Sequence, residues 1–431
     1  MKVLMLGWEF PPYFAGGVGI VCYELVKSLS KYEDIEVTYV MPYGPDEKKA
    51  SNNTKIRSAA TQKNLKIRIH NIPTTLYAYD SEESYQKRFE QILSTKTTKE
   101  KSLKEIYGPS LMDEVYLYAE RVANMFVDKE FDVIHAHDWT TIPAAVLLKQ
   151  LTGKPFILHV HITELDKTGG SGGNEKVFEI ENLGFKNADK IISISNFIKN
   201  RLVYNYSVPE SKIEVIHNGG ISDMVPSLEK YNHFSEKDKI VLFAGRMTLQ
   251  KGPEYFIKAA KKVLEYEPDV KFIVAGSGDM LSKMIELSAN LGIGKNVLFY
   301  GFYNREEAER LFAIADVFVM PSVSEPFGIV PLEAVAKGTP TIISKQSGIS
   351  EVLENTFKVD FWDTDEIAHK IITLLRYPHL HQHMRELANK EFQRFNWDEP
   401  TKRIVNLYRN TKSNHKINNT KINKKANLLI T

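Results

Sequence analysis

The 431-residue sequence contains a single cysteine, Cys22, so no disulfide can close within the chain. Its setting in GIVCYELVKSL places it on the packed face of a helix, with nothing nearby in sequence to activate a thiol. Long apolar runs are also missing: none approaches the roughly 18 residues of a membrane helix. The first apolar segment, VLMLG, has only a strand's length and follows no basic region, so neither a leader nor a transmembrane segment is expected, and the default is a cytoplasmic protein. A formal charge of +2 removes the electrostatic case for nucleic acid as a partner. There is no phosphate loop ending in Gly-Lys-Ser/Thr and no G-x-S-x-G elbow, which argues against the common NTPase and hydrolase designs. The glycines at Gly16, Gly17 and Gly19 do not form G-x-G-x-x-G, and AGSGDML fails it because Leu281 holds the third glycine position. A nicotinamide-dependent enzyme is thereby disfavoured.

What is present is the composition of a globular protein, 43% apolar and 26% charged, in a chain long enough for two cores. Strand signals at VLMLGWEF, IEVTYVMP, LKIRIHNIP, FDVIHAH, PFILHVHI, KIISIS and KIEVIHNG alternate with helical spacing, clearest in SLMDEVYLYAERVANMFVDK. The stretch from about Tyr43 to Lys104 departs from this rhythm and is expected to be an elaborated loop or small helical insertion. A polar bridge, SDMVPSLEKYNHFSEKDK, precedes a second alternating series: KIVLFAGRM, VKFIVAGSG, VLFYGF, VFVMP and PTIISK, each followed by a helix. The expected architecture is α/β, two doubly wound Rossmann-like domains facing across a cleft, over residues 1–220 and 239–395. Residues 411–431 hold five lysines and no acid among Asn, Thr and Ser, the composition of a disordered basic tail.

Ligands of open parallel sheets bind beyond the carboxyl ends of the strands, so the chemistry is sought there. In PSVSEPFGIVPLEAVAKG, Glu325 and Glu333 lie on either side of a turn between a buried strand and a helix ended by Gly338. The backbone N–H groups of Phe327, Gly328 and Ile329 at that helix start can cradle a phosphate or sugar hydroxyls, with the two carboxylates accepting from hydroxyls on either side. Arg246 and Lys251, in AGRMTLQKG, enter from another strand end, a bidentate fork and a point charge suited to a diphosphate.

His135, His137, Asp138, His159, His161 and Glu164 form the densest cluster of metal-ligand types. Because both segments end at the presumed cleft and no cysteine joins them, they read as substrate contacts rather than a zinc site. The following LDKTGGSGG is glycine-rich enough to close over a ligand. Asp363-Thr364-Asp365 matches a metal-binding D-x-D, but its place before EIAHKIITLL makes helix capping the better assignment.

WEFPPYFAGGVG, DVIHAHDW, HVHITE, AGRMTLQKG and SEPFGIVPLEAVAKGTP together resemble the retaining GT-B glycosyltransferases, particularly the branch of glycogen and starch synthases, from Met1 to about Tyr408. The resemblance implies a nucleotide diphosphate sugar donor, a hexosyl group, glucosyl in the first instance, and a glycan or other hydroxyl acceptor. It assigns Arg246 and Lys251 to the diphosphate, Glu333 to the ribose, and Glu325 with the backbone of Phe327, Gly328 and Ile329 to the transferred sugar. His161 matches the family's active-site histidine and Gly17 its glycine loop under the phosphates; His161, Arg246, Lys251 and Glu325 would form the catalytic set. A last helix over 396–410 would cross back to the N-terminal domain. No obvious carboxylate nucleophile is present, so a same-face substitution with no metal or other cofactor is expected. One departure concerns substrate: related glucan synthases carry K-x-G-G where Phe14 stands before Ala15-Gly16-Gly17 here. Another sugar or a lipid-linked acceptor stays open, as do a sugar-nucleotide 2-epimerase of the same fold and a silent sugar-nucleotide binder.

Overall fold

The computed structural model describes residues 1–10, 17–41, 67–72, 82–87, 110–170, 172–220 and 238–428. Seven parallel strands form the first sheet: β1 (Lys2–Leu6), β2 (Glu36–Met41), β3 (Ile67–Asn71), β4 (Val133–His137), β5 (Phe156–Val160), β6 (Lys190–Ser193) and β7 (Ile213–Val215), in the order β3-β2-β1-β4-β5-β6-β7. A second sheet holds β8 (Ile240–Ala244), β9 (Lys271–Ala275), β10 (Val297–Gly301), β11 (Val317–Met320), β12 (Thr341–Ser344) and β13 (Phe357–Val359), in the order β10-β9-β8-β11-β12-β13. Both central strand sets are buried on both faces, which explains their continuous apolar runs. The two doubly wound sheets read from the sequence are present; β13, at three residues too short to carry a periodic signal, was not among the expected strands. Most of 43–104 and of the polar bridge after Gly220 lies outside the described residues, apart from β3 and residues 82–87.

Strand order reverses direction between β1 and β4 and between β8 and β11. At such switch points the loops diverge to opposite faces and leave a crevice above the carboxyl ends. Gly17 follows β1, Asp138 follows β4, Arg246 follows β8 and Glu325 follows β11, so these residues flank the two crevices.

Local signals place the helices. α1 (Gly17–Leu29) buries Cys22 and Leu25; α2 (Leu111–Phe126) starts at Ser110, whose hydroxyl accepts from Asp113 N. The N-terminal domain continues with α3 (Asp138–Thr152), α4 (Glu164–Lys167), α5 (Glu175–Asn187) and α6 (Asn196–Tyr206). In the second domain α7 (Pro253–Leu264) carries proline in its first turn, α8 is Leu281–Asn290, and α9 (Arg305–Ile314) has an Asn304/Glu307 capping box. α10 (Val330–Ala336), α11 (Thr364–Arg376) and α12 (Pro378–Phe392) complete it.

The last helix, α13 (Asp398–Leu428), packs on the N-terminal domain, burying Ile404, Val405, Leu407 and Tyr408 with Val3, Met5 and Cys22. Trp397 Nε1 donates to Gly220 O at 2.9 Å, so the two chain crossings between domains touch. The disordered tail expected from residue 411 is corrected: the backbone stays helical to Leu428. No Gly or Pro interrupts the sequence after Pro400, and a helix already nucleated on a buried face propagates at little cost. Lys412 extends the docking through an ion pair with Asp132 at 2.8 Å.

Candidate active site

The turn after β8 carries both Arg246 and Lys251. A 3-10 turn over Leu249–Lys251 ends at Gly252, with φ 64°, and a Cβ there would lie 2.1 Å from Pro321 O. Only glycine allows that conformation at that approach, so the basic turn rests directly on the loop after β11. Across this contact Lys251 Nζ meets Glu325 Oε2 at 2.5 Å, and Ser322 Oγ donates to the same oxygen at 3.2 Å. Arg246 Nη2 lies 3.4 Å from Gln250 Oε1.

The glutamate loop is held by main-chain bonds: Glu325 N donates to Gln346 O, Gly348 N to Glu325 O and Ile349 N to Phe327 O. Phe327 is buried and its ring is core, so only its backbone can serve a ligand. Gly328, at φ 99°, has Glu325 Cγ and Ile349 Cγ2 within 3.2 Å of a built Cβ, so a side chain there would be strained by the backbone and crowded. Ile329 precedes α10 and its side chain reaches Gly17 of the other domain, 3.1 Å from a built Cβ. Glu333 sits in the first turn of α10; burial pushes its carboxyl up to about 7, opposed by Arg305 and reinforced by Glu309.

On the facing domain the histidines form a column. β4 and β5 pair with His137 opposite His159, so His135, His137, His159 and His161 share one face. His137 Nδ1 and His161 Nε2 are 2.8 Å apart, His135 Nε2 and His159 Nδ1 3.2 Å, and neighbouring rings lie within 12° to 31° of parallel. Tyr408 of α13 joins His135 Nδ1 at 2.5 Å. Burial pushes His135 and His161 down to about 3, so both are neutral at physiological pH.

Two expectations need correction here. All four histidines are buried, and His135, His137 and His159 pack among one another rather than facing a substrate, because Cys22 of α1 and Tyr408 of α13 cover their shared side of the sheet. A cysteine does join them: ligand-type atoms of Cys22, His137 and His161 lie within 4.8 Å of one another, as do those of His135, His137 and His159. The sequence could not show this because Cys22 lies on α1, over a hundred residues upstream.

Asp138 does more than its place beside the histidines foretells. Its backbone is left-handed, φ 57°, and its Oδ1 accepts from His161 N at 2.7 Å and Ile162 N at 3.3 Å. That bond fixes the turn carrying His161, although burial raises the Asp138 carboxyl to about 7. Trp8, Glu9, Asp138, Trp139 and Lys167 line a pocket at the β1/β4 crevice, with Lys167 Nζ 5.6 Å from the Trp139 ring centroid. Except for Asp138, these residues carry no individual sequence signal beyond standing at strand ends or in the turn after His161. Glu164 accepts from Asn174 N at 3.0 Å and Lys167 Nζ at 3.3 Å, closing the glycine-rich turn. Asp363 caps α11, accepting from Glu366 N at 2.9 Å, and Asp365 pairs with Lys262 at 2.7 Å.

The chain is similar to known proteins along both domains. The group 1 glycosyl transferases match over residues 226–391 and glycosyltransferase family 4 over residues 15–219. An uncharacterised glycosyltransferase of Methanocaldococcus jannaschii, MJ1607, is 30% identical over 429 residues, 95% of this chain and 98% of that one. Glycogen synthase of Mycobacterium tuberculosis is 25% identical over 362 residues, 82% of this chain and 80% of its own. Sucrose-phosphate synthase of Thermosynechococcus elongatus superposes with a TM-score of 0.73 at 19% identity, covering 95% of this chain and 98% of that structure, a likeness of fold.

Proposed function

The chain belongs to the group 1 glycosyltransferases, and on that premise we propose that it transfers a hexosyl group, glucosyl in the first instance, with retention, from a nucleotide diphosphate sugar to a glycan acceptor. The observation that carries the proposal is the Lys251–Glu325 pair, which brings a cation for phosphate and a carboxylate for sugar hydroxyls to one point of the cleft. Arg246 and Lys251 hold the diphosphate, Glu333 the ribose, and Glu325 with the backbone of Phe327, Gly328 and Ile329 the sugar. Gly17 lies under the phosphates, since its contact with Ile329 puts it beside the donor loop.

In this reading the acceptor hydroxyl attacks from the face the diphosphate leaves. The departing diphosphate oxygen takes the acceptor's proton, and the two cationic side chains stabilise the charge that develops on it. His161, neutral and fixed by Asp138, faces the sugar from the acceptor domain as an uncharged hydrogen-bonding group. No step requires a metal. Similarity to a glycogen synthase supports a glucan acceptor; the Phe14 departure, outside the described residues, keeps other acceptors in the test.

The test is incubation with UDP-, ADP- and GDP-sugars, each without acceptor, with glucan, and with other hydroxyl acceptors, lipid-linked ones included. Acceptor-dependent release of nucleoside diphosphate with an α-linked product supports the proposal. Sugar isomerisation without acceptor would replace it with an epimerase, and binding without release would leave a silent binder.

A further inference from the structure

The donor loop is held from the opposite domain on both sides of Glu325. Ser324 Oγ donates to Asp166 Oδ1 at 2.9 Å, and Ser195 Oγ donates to Pro326 O at 2.6 Å. All three side chains are buried. The other oxygen of Asp166 accepts from Thr163 N at 2.9 Å and Thr163 Oγ1 at 2.7 Å, fixing the turn that follows His161. Arg201 Nε, 3.3 Å from Oδ1, supplies the counter-charge that a carboxylate with no solvent contact requires. One carboxylate therefore touches the His161 turn with one oxygen and the Glu325 loop with the other.

The second seam is as tightly fitted. A Cβ on Gly348 would lie 2.3 Å from Pro326 O and 2.6 Å from Ser195 Cβ, so the loop, the start of α6 and Gly348 are in direct contact. Beside it Glu351 accepts from Asn196 N at 2.8 Å and Phe197 N at 2.7 Å, capping α6 from the donor domain. These bonds exist only while the two domains meet along this line. Within each domain, Ser324 and Pro326 O have no need of them to complete the sheet.

We propose that Asp166, Ser195 and Ser324 are positioning residues that set Glu325 against the His161 turn, so that the transferred sugar is engaged from both domains at once. The inference rests on the assignment of Glu325 to the sugar. Asp166 acts through Ser324, and none of the three touches substrate.

The test measures kcat, nucleoside diphosphate affinity and thermal midpoint for Ser324→Ala, Ser324→Thr, Ser195→Ala and the double alanine variant, with whichever of UDP-, ADP- and GDP-glucose serves as donor. Each alanine should lower kcat about ten-fold, the loss of one buried hydrogen bond to a charged or backbone acceptor, while diphosphate affinity changes by less than about two-fold. Ser324→Thr, which keeps the hydroxyl, should restore kcat. A folded double variant with wild-type kcat overturns the inference, and so does an equal loss of diphosphate affinity, which would make these hydroxyls part of the donor pocket. Glu325→Ala is the reference. If it transfers normally, the assignment of Glu325 falls and the inference with it; if it is inactive while the hydroxyl variants match the wild type, the inference alone falls.

Discussion

Lys251 and Glu325 stand 74 residues apart in sequence and meet at 2.5 Å, with only 19% and 8% of their side chains exposed. In the proposed function this pair sets the ammonium assigned to the diphosphate beside the carboxylate assigned to the sugar. Removing one partner strands the other in a sheltered place, which costs more than the pair itself contributes.

Lys251→Ala should therefore lower both turnover and melting temperature. Adding Glu325→Gln should recover much of the melting temperature, since a neutral amide needs no counter-charge. Turnover should not return with it. A double variant that melts no higher than Lys251→Ala would show that Glu325 is not held by this pair.

Glu333 gives a pH dependence. Its folded-state value of about 7 lies above the ordinary 4.5, so the folded state holds a proton that the unfolded chain has released. This group's contribution to stability therefore falls as pH rises from 4.5 to 7. If Glu333 holds the ribose as proposed, donor binding should run the other way, because the anion is the better acceptor for hydroxyls. The donor KM should rise as pH falls through about 7, and Glu333→Gln should flatten that limb of the profile. An unchanged profile in Glu333→Gln would assign the titration elsewhere.

The buried imidazoles give a spectroscopic prediction. With His135 and His161 near 3, their ring resonances should not titrate between pH 5 and 8. Tyr408→Phe should cost about 1 kcal/mol of stability by removing the bond to His135, with transfer nearly intact. Titration of His161 near neutrality would contradict its neutral role.

Activity should survive EDTA, since in the proposed mechanism Arg246 and Lys251 neutralise the leaving diphosphate without a metal. Loss restored by Mg²⁺ or Mn²⁺ would end the metal-free proposal and bring Asp363 and Asp365 back into consideration, although both are occupied by a helix cap and by Lys262.

The histories of particular residues show what a sequence can carry. The placement of Gly17, Arg246 and Glu325 after the carboxyl ends of strands was legible because strand, loop and helix follow one another locally. Tyr408 on His135, Cys22 beside His137, and Ser324 on Asp166 were not. Each joins segments more than a hundred residues apart, and no periodicity records which distant side chains a fold brings together. The helix beyond residue 411 was missed because composition speaks of solvation, whereas its persistence depends on the buried face at Ile404, Val405 and Tyr408 that starts it.

Calorimetric donor titration beside initial rates, for Arg246→Ala, Lys251→Ala, Glu333→Ala and His161→Ala, tests the central claim most directly. The two cation variants should lose roughly 2 to 4 kcal/mol of transition-state stabilisation each, more than they lose in donor binding. Glu333→Ala should act mainly on donor affinity, and His161→Ala should slow transfer with donor affinity nearly intact. A His161→Ala enzyme that transfers at the wild-type rate, or an Arg246→Ala enzyme that loses affinity alone, would contradict the account.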